Sequence, residues 1–458
     1  MNTSFFGEML NSITERGRAL LDRTRDRRDV AAARSESLAD LCEELLSGRG
    51  EASGVALAGE ILEKYSELTT GPRIAFFEAL ATRFGPDREA VDAAIKDWQA
   101  GPSDETAAEL HTAAEARRQE LLRRLNLAPG GTAALVRMRE QLLDALGHRK
   151  DLAAADADFV HLFSSWFNRG FLVLRRIDWS TPAMILEKII RYEAVHEIAS
   201  WDDLRRRIDP PDRRCYAFFH PALVDEPLIF VEVALTREIP DAVGPILANG
   251  REAITPDRSK VAVFYSISNC QRGLAGVSFG SFLIKQVVEE ISRENVKLGT
   301  YVTLSPAPDF ARWLDRERKT ENSKVLSSED IELLKGLDQP DWWRKPELHE
   351  GFQDSFLRAA AWYYLNARNR RGLPVDAVAR FHLGNGARLE RLNWLGDVTD
   401  KGLNQSYGLM VNYLYDLEHI EKNHEAYAEG RRVVASNAVR RHLRGAAAGV
   451  TDLVPAAG

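Results

Sequence analysis

A chain of 458 residues, 45% of them hydrophobic, carries enough apolar side chain for more than one core, and at roughly 150 residues per domain it reads as two or three domains. Its 61 basic and 68 acidic residues are interspersed and leave a formal charge of −7, so no stretch offers the basic surface that nucleic acid needs. No segment approaches the ~18 uninterrupted apolar residues that span a bilayer, and Cys42, Cys215 and Cys270 lie far apart without CxxC spacing, which points to a reducing cytoplasm.

The opening MNTSFFGEMLNSITERGRALLDR carries Glu8 and Glu15 where a signal peptide would be apolar, and the closing LVPAAG holds no receptor-read address. The run DRTRDRRDVAAAR alternates its signs like a solvated helix face rather than a phosphate clamp. From there to about Phe167 the rhythm is helical. LADLCEELL, ALAGEILEKYSEL, PRIAFFEALATRF, REAVDAAIKDW and AALVRMREQLLDAL each repeat apolar residues at three- or four-residue spacing. Breakers at Ser47 to Gly50, Thr70-Gly71-Pro72, Gly85-Pro86-Asp87, Gly101-Pro102-Ser103 and Ala128 to Gly131 cut the pattern into short segments, which predicts a helical bundle.

Past Trp166 the texture changes. RCYAFFH, PLIFVEVALT, KVAVFYSIS, TYVTLSP and ARLERLNWL read as strands, so the second half is predicted as a mixed α/β domain with its border near Gly170. One junction, KVAVFYSIS then NCQRGLAGVSFG then SFLIKQVVEEISREN then TYVTLSP, forms a strand, a glycine-bearing turn, a helix and a strand. Gly273, Gly276 and Gly280 let the backbone from Arg272 to Ser281 curl toward an anionic ligand at a helix N-terminus; tight packing alone is the competing explanation, because the spacing is neither GxGxxG nor a P-loop.

Ser305 ends a strand in TLSPAPDF, where Pro306 and Pro308 stop the sheet; a serine bonding its own turn is the simpler role, and no GxSxG elbow surrounds it. His382 precedes the turn Gly384-Asn385-Gly386, which would fix its ring, while a buried histidine bonded to a carbonyl is the structural alternative. His419 and His424 in EHIEKNH do not make HExxH and read as surface polar residues. No cluster has metal-ligand spacing. Trp342 and Trp343, with proline on both sides, are expected to pin a loop onto the core.

The blocks EPLIFVEVALT, AVFYSIS, GLAGVSFGSFLIKQVV, LSPAPDF, FHLGNGARLERLNW and GLMVNYLY, in this order between about Leu172 and Tyr415, resemble the malonyl-CoA decarboxylase family. That resemblance implies a helical domain over residues 1–170 and a catalytic domain of the GNAT acyltransferase fold, with a mixed sheet, over residues 171–458; the apolar faces of AFFEALATRF and LVRMREQLL, of a kind that short helices often bury against a second copy, predict that the helical domain mediates oligomerisation. The resemblance also implies a carboxy-lyase that turns malonyl-CoA into acetyl-CoA, with coenzyme A as part of the substrate, no further cofactor and no metal. The family's catalytic serine and histidine fall on Ser305 and His382, and its substrate-binding segment on Ala275, Gly276, Val277, Ser278, Phe279, Gly280 and Ser281. The acyltransferase signature Q/RxxGxG/A is loosely met by QRGLAG, and Ser278 stands where some relatives carry glutamate. His382 is expected to act as a group titrating near neutrality. An acyl-CoA-dependent N-acetyltransferase of the same fold and a non-catalytic acyl-CoA-binding protein are the alternative readings; neither nucleic acid nor a membrane is an expected partner.

Overall fold

The computed structural model describes residue 15 and residues 37–48, 50–277, 283–294 and 297–443. The alternating-sign run near residue 25, Ser278 to Ser281 of the glycine-bearing loop, and LVPAAG lie outside the described residues. The chain divides into two compact units. One comprises the chain up to Val173, the segment Phe219–Glu226 and the loop from Gln271. The other holds Leu174–Phe218, Pro227–Cys270 and the C-terminal remainder.

In the first unit the apolar periodicity forms helices at Leu38–Leu46, Glu51–Ser66, Thr70–Thr82, Arg88–Ala100 and Gly131–Leu146, close to the expected segments. Three further α-helices, Asp104–Ala114, Arg117–Asn126 and Ala153–Trp166, are accompanied by short 3-10 turns at Lys150–Leu152 and Arg169–Phe171. Capping explains several starts. Ser37 and Asp40 form a reciprocal capping box, Asp87 accepts from the amides of Glu89 and Ala90, and Ser103 accepts from Thr106. Thr70-Gly71-Pro72, expected as a break, instead forms the first turn of its helix, because a proline there lacks only an amide that had no partner.

The core of this unit is built from Leu57, Ile61, Phe77, Leu80, Leu121, Leu142 and Phe163, all essentially inaccessible, each contributing about 1.5–3 kcal/mol by burial. Two arginines are drawn inside with partners. Arg118 Nε meets Asp158 Oδ2 at 2.5 Å, and Arg139 Nε meets Asp156 Oδ1 at 2.8 Å.

The second unit contains a mixed sheet of eight strands, numbered along the chain: β1 Val173–Ile177, β2 Arg213–Phe219, β3 Pro227–Thr236, β4 Val261–Asn269, β5 Thr300–Thr303, β6 Ser305–Pro306, β7 Arg388–Asn393 and β8 Met410–Leu414. Their order is β1-β2-β3-β4-β5-β8-β6, with β7 pairing to β8. β3 is buried along its length except at Thr236, which accounts for its near-continuous apolar run. Its acid, Glu232, lies wholly inside within 3.2 Å of Arg207 Nη1, and burial raises its pKa to about 8.

β3 and β4 are antiparallel, whereas β4 and β5 are parallel from Val261↔Thr300 to Phe264↔Thr303. β4 then continues to Asn269 while β5 stops, so the parallel pair parts just where the chain reaches Ser305. A core of Val243, Val263, Tyr265, Val302, Leu304 and Met410 fills one face of these strands. Trp342 is buried against Phe352, Trp394 and Tyr407, as expected of a loop anchor. The cysteines Cys42, Cys215 and Cys270 are buried free thiols.

Candidate active site

Strand β8 determines where Ser305 points. Val302 pairs with Leu414 and Ser305 with Val411, so the register is continuous, but between them side chains stand in for the backbone ladder. Asn412 Nδ2 donates to the Thr303 carbonyl at 2.8 Å, and the Tyr413 amide donates to Thr303 Oγ1 at 3.2 Å. Leu304 N turns the other way, to the Phe264 carbonyl at 3.0 Å. Asn412 is in turn held by Asn393 Nδ2 at 2.9 Å and by Arg391 Nε at 3.1 Å. Ser305 is thereby fixed at a strand end with 5% of its surface accessible.

His382 arrives from a short helix, Ala377–Gly384, that the sequence pattern does not announce. Asp376 caps it by accepting from Ala379 N at 2.7 Å. Asp376 is itself buried, which lifts its pKa to about 6. At the other end His424 Nδ1 donates to the Gly384 carbonyl at 2.7 Å, so His424, expected as a surface residue, is a tether for this helix; His419 is the exposed one, paired with Asp416. Gly386 leaves the helix at φ +80°, and a Cβ there would lie 2.2 Å from the Ile420 carbonyl oxygen; the turn therefore requires glycine on two counts.

The two residues meet. His382 Nε2 lies 3.0 Å from Ser305 Oγ, and His382 Nδ1 lies 2.8 Å from the Tyr415 hydroxyl. Ser305 Oγ also donates to Thr303 Oγ1 at 2.9 Å. The imidazole stacks on Tyr413, with ring centroids 4.6 Å apart at 27°. The sequence alone singles out Ser305 and His382 but not Thr303, Tyr413 or Tyr415. Tyr413 and Tyr415 lie two apart in GLMVNYLY, a segment not among the expected strands, and both reach the imidazole.

One expectation is corrected. His382 does not titrate near neutrality, because burial away from any carboxylate lowers its pKa to about 3. It is a neutral imidazole in the unliganded protein at physiological pH.

The loop segment behaves differently in its described part. Arg272–Leu274 form a tight turn, and the amides of Leu274, Ala275 and Val277 donate to Gln271, Arg272 and Leu274 carbonyls, leaving none of these three for a ligand. Arg139 Nη1 donates to the Gly273 carbonyl at 2.7 Å, and a Cβ on Gly273 would sit 2.0 Å from the Val136 carbonyl oxygen. Gly273 thus serves close packing. Gly276 adopts φ +80° with open space around its Cα, so its glycine is conformational. Ser278, Phe279, Gly280 and Ser281 lie outside the described residues. Among the described residues no group of three or more histidine, cysteine or acidic side chains is arranged to hold a metal ion.

A helical unit, a mixed sheet, and a buried serine and histidine in hydrogen-bond contact where parallel strands part make a candidate site whose groups are of the kind that proton transfer and hydrogen bonding use. Comparison with known proteins names the family. Residues 170–452 match the model of the malonyl-CoA decarboxylase C-terminal domain and residues 84–167 that of the N-terminal domain. The chain is 34% identical over 418 residues to malonyl-CoA decarboxylase, mitochondrial, of Anser anser anser, covering 83% of this chain and 82% of that protein. It is 37% identical over 348 residues to the Mus musculus protein of the same name, covering 70% of each. Among solved structures, malonyl-CoA decarboxylase from Rhodopseudomonas palustris is similar with a TM-score of 0.86 and 58% identity, over 88% of this chain and 98% of that one. The Agrobacterium vitis structure gives 0.85 and 56%, over 89% and 100%. The chain belongs to the malonyl-CoA decarboxylase family.

Proposed function

We propose that the chain is a carboxy-lyase that converts malonyl-CoA to acetyl-CoA and CO2, with Ser305 and His382 as the reacting pair. The observation that carries this is the 3.0 Å contact, at a strand end, between two residues 77 positions apart in a chain of this family. The bond from the malonyl carboxylate to the methylene carbon breaks, CO2 leaves, and the electron pair passes into the thioester as an enolate. One proton then adds to the methylene carbon. The thioester is the electron sink, so the chemistry asks for no metal or organic cofactor.

Ser305 donates a hydrogen bond to an oxygen of the malonyl group, and His382 delivers the proton. The neutral resting imidazole is compatible with this, because a malonyl carboxylate entering its buried surroundings favours the protonated ring and draws one proton in from solvent. Tyr415, 2.8 Å from Nδ1, orients the ring from behind. Ala275 to Ser281 are proposed to contact the coenzyme A portion. The test is release of labelled CO2 from malonyl-CoA with no acyl acceptor present, with and without EDTA. Equal amounts of CO2 and acetyl-CoA, unaffected by EDTA, are expected; a requirement for an amine acceptor or for a restored metal overturns the reading.

We also propose that the protein works in the cytoplasm and self-associates through its helical unit; among the described residues no helix is long and apolar enough to cross a membrane. The apolar faces of AFFEALATRF and LVRMREQLL are not available for association, since Phe76, Phe77, Leu80, Leu135 and Leu142 are buried inside the unit. Among the exposed large apolar side chains of the unit are Ile95, Trp98 and Leu127. Light scattering at micromolar concentration is expected to give more than a monomer mass, and a smaller mass for Trp98→Asp. A monomer in the parent protein refutes the proposal.

A further inference from the structure

The direction of the hydrogen bonds around Ser305 carries a consequence for what the pair does not do. A serine hydroxyl has one proton. Ser305 Oγ donates it to Thr303 Oγ1 at 2.9 Å, where the threonine oxygen also receives the Tyr413 amide. The 3.0 Å contact between Ser305 Oγ and His382 Nε2 must then be made with the ring's proton, so Nε2 is the donor. In a neutral imidazole the other nitrogen is bare, and Nδ1 accepts the Tyr415 hydroxyl proton at 2.8 Å. The chain of donation runs one way, from Tyr415 through His382 to Ser305 and on to Thr303. Thr303 is wholly inaccessible to solvent, so water does not compete for that last bond.

We propose that Thr303 is a positioning residue that holds the Ser305 proton away from His382 and so keeps the serine from acting as a nucleophile toward the thioester it handles. An activated serine donates its proton to a histidine acting as base. Were Ser305 wired that way, Oγ would attack the thioester carbonyl carbon and the C–S bond would break. The serine proton would pass by way of His382 to the departing coenzyme A sulfur, and water would hydrolyse the acyl-serine to the free acid. The same two side chains would then waste malonyl-CoA. With the proton on Thr303, Ser305 has no base, while its hydroxyl remains free to exchange a neutral acceptor for a stronger anionic one when a malonyl oxygen arrives. Thr303 therefore selects carbon–carbon over carbon–sulfur cleavage.

This inference rests on the assignment of Ser305 and His382 above, and the experiment separates the two. Thr303→Val removes the acceptor at nearly constant volume and Thr303→Ser retains it. With malonyl-CoA and with acetyl-CoA, CO2 release and free coenzyme A thiol are followed separately, together with mass spectrometry for an acyl group on Ser305. Thr303→Val is expected to lose at least about tenfold in CO2 release and to gain thiol release or an acyl-Ser305 adduct, both absent in Thr303→Val/Ser305→Ala; Thr303→Ser is expected to behave as the parent. Thr303→Val without thiol release and without adduct overturns the proposal, whether or not CO2 release falls. Because the variant leaves the Tyr413 amide without a partner and can fail to fold, the parent protein supplies an independent test. Nitrogen-15 NMR of labelled histidine should show His382 with its proton on Nε2, and a proton on Nδ1 refutes the wiring. Undiminished CO2 release by Ser305→Ala would instead sink the site assignment itself.

Discussion

Replacing His382 with asparagine is expected to leave malonyl-CoA binding within a few-fold of the parent while decarboxylation falls by about 10²–10⁴, the contribution of a positioned proton donor. Asparagine keeps a hydrogen-bonding planar group near Ser305 but has nothing that can be protonated. The imidazole of the unliganded protein has a pKa of about 3, so at pH 7 it is neutral and becomes a proton donor only in the complex. Turnover at saturating substrate should therefore decline as pH rises through the higher pKa that the bound carboxylate confers on His382, and the asparagine variant should lose that decline. Calorimetric affinity, CO2 release across pH and a melting curve distinguish the outcomes. A folded variant with near-parental turnover returns His382 to a packing role.

Ser305→Ala removes one donor to an anionic oxygen, and loss of such a donor costs roughly 3–4 kcal/mol, or about 10²–10³ in rate, if the bond forms mainly in the transition state. The turnover number should then fall with little change in the Michaelis constant. A rise in the Michaelis constant alone reassigns Ser305 to binding of the ground state. Combining Ser305→Ala with His382→Asn should lose less than the product of the two single losses, because groups serving one proton-transfer step are not independent. Full multiplicativity would mean that the 3.0 Å contact has no part in the chemistry.

Ser305 and His382 stood out in the sequence because each is marked by residues with few conformational choices, but the pattern alone favoured a structural role for both, and the catalytic assignment came from the family resemblance. Pro306 ends the strand after the serine, and Gly386 closes the turn after the histidine at a φ that only glycine adopts freely. The helix bearing His382 was not legible. At eight residues, Ala377–Gly384 is too short for a convincing period, and it is held at its ends by Asp376 and His424, the latter 40 positions from the carbonyl it meets. Thr303 and Tyr415 were invisible for a related reason: their roles come from the pairing of β5 and β6 with β8, more than a hundred residues later, and a threonine in a strand announces only a strand. β1 was missed because Val173–Ile177 is mostly exposed and carries two arginines. The loop after β4 shows the limit of composition. Its glycines permitted both a ligand cradle and close packing, and the approach of Val136 to Gly273 assigns one of them to packing.

The membership of the first unit bears on how the protein is made. Its last helix ends at Trp166, yet the unit also takes in His220, whose ring lies 4.8 Å from that of Phe167 and whose Nε2 donates to the Trp166 carbonyl at 3.1 Å. It likewise takes in the turn at Gly273 that satisfies Arg139 and covers Val136. On the ribosome, the helices emerge about a hundred residues before Gly273 does. Until His220 emerges Phe167 has only the Phe163 ring beside it, and until Gly273 follows Arg139 has only Asp156 and Val136 lacks its cover. Synthesis of the second half thus completes the first, and a truncation after residue 170 would reproduce, permanently, a state through which every newly made chain passes.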